Sequence, residues 1–91
     1  MEKYKVLIRT EGHVKMGMGN IYRDIRIARK IKEKYNAVIQ FIVTPISMVG
    51  LKKILDSGFK VDLVNINNVR QYIKYIKNYG PNVVISDILN L

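Results

Sequence analysis

Cysteine is absent from the sequence, and histidine occurs once, at His13. The first absence excludes disulfides, thiolate catalysis and cysteine-held zinc. A lone histidine excludes a metal site built from a histidine cluster within one chain. Long apolar runs are also missing. No stretch approaches the ~20 apolar residues that a membrane-spanning helix needs. The charged start, Met1 to Lys5, is followed only by the short run Val6-Leu7-Ile8, too brief for a secretory signal, so a cytoplasmic protein is expected. Acidic residues are scarce: 7 against 16 basic ones, for a net charge of +9. Such a field attracts polyanions, which puts nucleic acid, anionic lipid and phosphorylated small molecules in view. The basic residues are spread along the chain with no basic tail. They are not interleaved with aromatics in one patch, and no nucleic-acid-binding motif accompanies them. A solvated surface accounts for most of them.

What is present fits a folded domain: 48% hydrophobic and 25% charged residues, with two prolines. The length of 91 residues allows one small domain, residues 1–91, that buries only about 60% of the surface its unfolded chain exposes. The hydrophobic period switches repeatedly along it. Lys5-Val6-Leu7-Ile8-Arg9 reads as a strand. Residues 11–19, with Gly12, Gly17 and Gly19, read as a loop. Ile21, Ile25, Ala28, Ile31 and Tyr35 then recur at helical spacing between basic residues, which predicts an amphipathic helix over 20–35. Val38 to Val43 is nearly continuous and β-branched, as in a parallel strand buried on both faces. A second helix is expected over 47–57, with Gly58 at its C-terminus. Val61, Leu63 and Val64 make a third strand. Asn67 or Asn68 can cap a third helix carrying Val69, Tyr72, Ile73 and Ile76 on one face. Gly80-Pro81 stops it, and Val83-Val84-Ile85 forms a fourth strand with Ser86-Asp87 at its carboxyl end.

This alternation predicts a Rossmann-like α/β domain: a four-stranded parallel sheet with helices on both faces. Right-handed crossovers with the first strand central give the order 3-2-1-4. In such sheets ligands bind beyond the carboxyl ends of the strands, at the switch point, here the loop 10–19 and the tip near Asp87.

The glycine loop carries the chemistry. Gly17 and Gly19 stand just before a helix whose free N–H groups and partial positive charge suit a phosphate or a developing oxyanion. A tight turn is the plainer reading of the same pattern. A phosphate-binding P-loop would need Gly-Lys-Ser/Thr, and Gly19 is followed by Asn20-Ile21. The dinucleotide fingerprint needs a third glycine where Tyr22 stands, and no acidic residue ends the second strand.

The segment Ile8-Arg9-Thr10-Glu11-Gly12, then Gly17-Met18-Gly19-Asn20-Ile21-Tyr22-Arg23, then Ile27-Ala28, resembles the UDP-sugar hydrolases of pseudaminic acid biosynthesis and related spore-coat polysaccharide proteins. That family shows Ile-Arg-x-Asp-Gly, Gly-x-Gly-His-x-x-Arg and Leu-Ala at the same spacing, and an Asp ending the fourth strand, where Asp87 sits. More loosely, the loop is similar to that of the glycosyltransferase of lipid II synthesis. The resemblance implies one half of a GT-B fold, two Rossmann-like domains facing across a cleft, with most of the nucleotide held by a second domain. It implies Arg9, Glu11, Gly17, Gly19, Arg23 and Asp87 as substrate-binding candidates and no cofactor. The loop histidine of the family, its general acid/base, is replaced by Asn20, which has no titratable proton near neutrality. His13 lies where the family has a small residue, and Glu11 replaces its Asp.

Plainer roles stand beside each. Asn20 can be the N-cap of the first helix. Arg23 can pair with an acidic neighbour, Arg9 and Glu11 can pair with each other, and Asp87 can be a surface acid. Tyr72, Tyr75 and Tyr79 read as packing residues. The functional expectation is the sugar-facing half of a nucleotide-sugar hydrolase or transferase, inactive alone and completed by a second domain or subunit. A non-catalytic sugar- or anion-binding domain is the alternative, and a basic nucleic-acid-binding domain a third. Two bare sheet edges further predict self-association into a homo-oligomer.

Overall fold

The computed structural model describes residues 3–11, 18–65 and 67–87. Seven elements follow one another: β1 (Lys5–Thr10), α1 (Gly19–Tyr35), β2 (Val38–Val43), α2 (Met48–Asp56), β3 (Lys60–Leu63), α3 (Val69–Tyr79) and β4 (Val83–Asp87). They form a four-stranded sheet in the order β3-β2-β1-β4, and each pairing is parallel. The fold is the Rossmann-like α/β arrangement that the alternating periodicity predicts.

The two faces of the sheet are covered unequally. Val6 and Ile8 of β1, with Ile39, Phe41 and Val43 of β2, meet Ile21, Ile25 and Ala28 of α1 and Ile54 of α2. On the other face Leu7, Ile42 and Val64 meet Tyr72, Tyr75, Ile76 and Tyr79 of α3. Alternation along each strand divides these residues between the faces. α3 therefore turns a different stripe inward from the one the sequence suggested: Val69 and Ile73 are exposed, and Tyr75 and Tyr79 take their places. The Tyr75 hydroxyl donates to Asp62 at 2.6 Å, joining α3 to β3. Burial, then that hydrogen bond, raises the tyrosine's pKa.

Local chemistry ends each helix. Asn36 adopts a left-handed conformation (φ 51°) after α1 and donates its N–H to the Lys32 carbonyl. After α2, the Gly58 N–H reaches the Leu55 carbonyl and the Phe59 N–H reaches Ile54, with Gly58 at φ 88°. This double bond pattern is a Schellman closure, with Gly58 just past the helix. It delivers Phe59 into the core, where its ring centroid lies 5.5 Å from that of Phe41. Asn68 caps α3 by accepting from the Gln71 N–H, and Gly80 closes it in the left-handed region.

β4 pairs only with β1, so its outer edge is free of strand partners among the described residues. Tyr4, Val6, Ile31, Tyr35, Val83 and Ile85 line an open apolar groove of about 480 Å³ beside it. No helix among the described residues is long and apolar enough to cross a membrane.

Candidate functional site

The chain runs outward from β1 through α1, β2 and α2 to β3. It then returns through α3 on the opposite face to place β4 on the far side of β1. The switch point therefore lies between β1 and β4, at their carboxyl ends, where this architecture holds ligands. The parallel register puts Thr10 beside Asp87 at those ends. The first turn of α1 sits against them.

The side chains there form a connected set. Arg23 donates from Nε to Asp87 Oδ2 at 3.0 Å, and a terminal nitrogen lies 2.6 Å from each carboxylate oxygen. The same terminal group donates to the Asn20 side-chain oxygen at 3.1 Å. The Asn20 amide donates to the Asp87 main-chain oxygen at 3.4 Å. Three residues expected at the site from sequence, Asn20, Arg23 and Asp87, thus come together. The Arg23 pKa is raised, first by its hydrogen bond to Asp87 and then by the charge attraction. On Asp87, burial pulls upward, but the hydrogen bonds from Arg23, the neighbouring Asp24 carboxyl and the Arg23 charge outweigh it, so its pKa falls below the ordinary value.

The other candidates are placed differently. Asn20 is not the N-cap: α1 begins at Gly19, Met18 holds the cap position, and no side chain among the described residues caps the helix. With its side chain committed to Asp87 and Arg23, Asn20 sits inside the first turn. Gly19 does not use a left-handed backbone, and nothing lies within 4 Å of where its Cβ would be, so the space beside it is open. Arg9 belongs to the opposite face, its guanidinium 4.8 Å from the Tyr72 ring centroid. No Arg9–Glu11 ion pair exists among the described residues; Glu11 lies half-buried just past β1. Gly12, His13 and Gly17 lie outside the described residues.

Two residues at the site were missed by sequence reasoning. Asp24 is 1% exposed and Thr10 fully buried. Neither carboxyl oxygen of Asp24, nor the Thr10 hydroxyl, makes a hydrogen bond among the described residues. Asp24 falls on the inward stripe of α1 with Ile21, Ile25 and Ala28, and an acid at a core position of a helical stripe was the signal available. Burial, then proximity to Asp87, lifts its pKa from 3.8 to about 7, against the opposing pull of Thr10 and Arg23.

The Arg23–Asp87 pair makes a testable contribution to stability. A carboxyl whose folded pKa is depressed stabilises the fold above its unfolded value and loses that contribution as pH falls through the folded one. Arg23→Ala should therefore lower the melting temperature at neutral pH, and the gap from wild type should close in acid. A gap that does not change with pH, measured by thermal denaturation, would contradict the pairing.

Fold and site together define a Rossmann-like α/β domain with a polar cluster at its switch point. No family model matches the chain, and no solved structure does. It is similar to the uncharacterized protein MJ1062 of Methanocaldococcus jannaschii, with 39% identity over 87 residues, 96% of this chain and 17% of that protein. The chain thus spans about a sixth of the length of that relative.

Proposed function

We propose that this domain is the sugar-facing half of a cytoplasmic nucleotide-sugar enzyme, hydrolase- or transferase-like, whose nucleotide is held mainly by a second domain. The observation that carries the reading is the convergence of Asn20, Arg23 and Asp87 at the switch point, beside the N-terminus of α1. The first-turn N–H groups offer donors for an anion, and the carboxylate and amide can hold sugar hydroxyls. The greater length of the relative leaves room for a second domain there and supports the same proposal.

Asn20 favours a second reading, a domain that binds sugar or anion without turnover, because its side chain cannot exchange a proton near neutrality. Both readings predict binding. The test is a titration of the chain with UDP, CMP and their amino-sugar conjugates, followed by amide NMR. Shifts gathered at Gly19–Asp24 and Asp87 are the expected result. Unmoved spectra for all these ligands would reject both readings. Salt-sensitive binding to DNA or RNA through the exposed basic faces of α1 would replace them with a nucleic-acid role.

A further inference from the structure

We propose that Asp24 and Asp87 hold one proton between them at neutral pH and are the proton-exchanging pair of this site, with Asp87 open to the cleft and Asp24 acting through it. This deepens the nucleotide-sugar reading, on which its functional meaning rests; the protonation itself is measurable without it.

Geometry carries the proposal. The Asp24 carboxyl is buried on the inward face of α1 with no hydrogen bond among the described residues, next to Arg23 and one turn beyond Asn20, the two α1 residues that bond Asp87 of β4, and Asp87 and Thr10 bear on its titration. Two carboxylates side by side repel, and a buried one without donors is poorly solvated, so one of the two keeps its proton. Arg23 decides which. It clamps both oxygens of Asp87 and so fixes the negative charge there. The proton stays on Asp24, whose acid form can donate to Asp87. The charged and titratable groups bearing on Asp24 among the described residues are Asp87 and Arg23, with the Thr10 hydroxyl beside them. The Thr10 hydroxyl is buried and also makes no hydrogen bond among the described residues, which leaves it able to donate to Asp24 once that group ionises. As pH rises through neutrality Asp24 releases one proton, leaving two carboxylates; as pH falls the pair takes one back. The side chain of Asp87 is 24% exposed, which makes it the member that a ligand reaches, and Asp24 a positioning residue behind it.

The test is a carboxyl carbon NMR titration of the 91-residue chain and two variants. The expected result is one aspartate titrating at about 7 in place of 3.8. That titration should vanish in Asp24→Asn, which keeps the shape and the neutral charge. In Asp87→Asn it should move toward acid, because the like charge is gone. Aspartates that all titrate in the ordinary acid range would overturn the proposal, as would a neutral-pH titration that survives in Asp24→Asn. Adding UDP, CMP and their amino-sugar conjugates separates the two claims. A neutral-pH titration in a chain whose signals ignore all of these probes would reject the nucleotide-sugar reading and leave the proton pair standing.

Discussion

Fused to a nucleotide-binding second domain, the Asn20→His chain should hydrolyse UDP-sugars ~10²–10⁴-fold faster than the same fusion with Asn20, the usual worth of a general acid or base. Asn20 lies in the first turn of α1, in reach of the Asp87 main-chain oxygen and of Arg23, and a histidine there would stand at the switch point. The Asp24–Asp87 pair does not substitute fully for it, because Arg23 holds the exposed carboxylate as a weak proton acceptor. The unfused chain, with either residue, should show no turnover. Substrate positioning by a second domain, present only in the fusion, can supply ~7–11 kcal/mol of a barrier. Product formation measured by release of UDP checks both statements. Hydrolysis by the unmodified 91-residue chain, or equal rates from the two fusions, would contradict the assignment of Asn20.

Phe41→Ala should cost about 3–5 kcal/mol, the range for removing a buried phenylalanine. Phe41 is fully buried in the larger of the two core clusters, on a strand whose neighbours on both sides are strands, and its ring meets Phe59. Small domains are stable by roughly 0.05–0.15 kcal/mol per residue, so this loss is a large share of the chain's stability. The variant should unfold at a much lower urea concentration than wild type. Ile73→Ala, at a 46% exposed position of α3, should leave the urea midpoint almost unmoved. A Phe41→Ala midpoint close to wild type would show that the core is not centred on β2.

The fold was legible because its signals are local and repeated. The buried run Val38 to Val43 and the stops at Gly58 and Gly80 place a strand and two helix ends without tertiary information. The order of strands followed from crossover handedness once the first strand was taken as central. The stripe of α3 was misjudged because its aromatic residues carry both polar and apolar character. Tyr75 and Tyr79 turn their rings inward, and the aliphatic Val69 and Ile73 stay in water. At the site, Asn20, Arg23 and Asp87 were legible as a group through the family resemblance and the switch-point position of Asp87. The side on which each points was not, since that depends on where a strand ends. Arg9 and Thr10 are adjacent, yet alternation sends Arg9 to α3 and Thr10 to α1. Asp24 went unseen because an acid between Arg23 and Ile25 looks like surface until the stripe of α1 is laid against the sheet.

The unequal covering of the sheet sets the order in which the molecule loosens. α3 buries none of its residues fully and rests on three buried neighbours, whereas α1 and α2 share the larger cluster. Segments with few buried apolar contacts open at lower free energy than the rest of a domain. α3 is thus the first helix to detach, in brief excursions that leave the other side of the sheet packed. The polar cluster lies on that other side. Its alignment is insulated from the most frequent opening of the fold, and a ligand held there meets a rigid floor even while the back of the domain breathes.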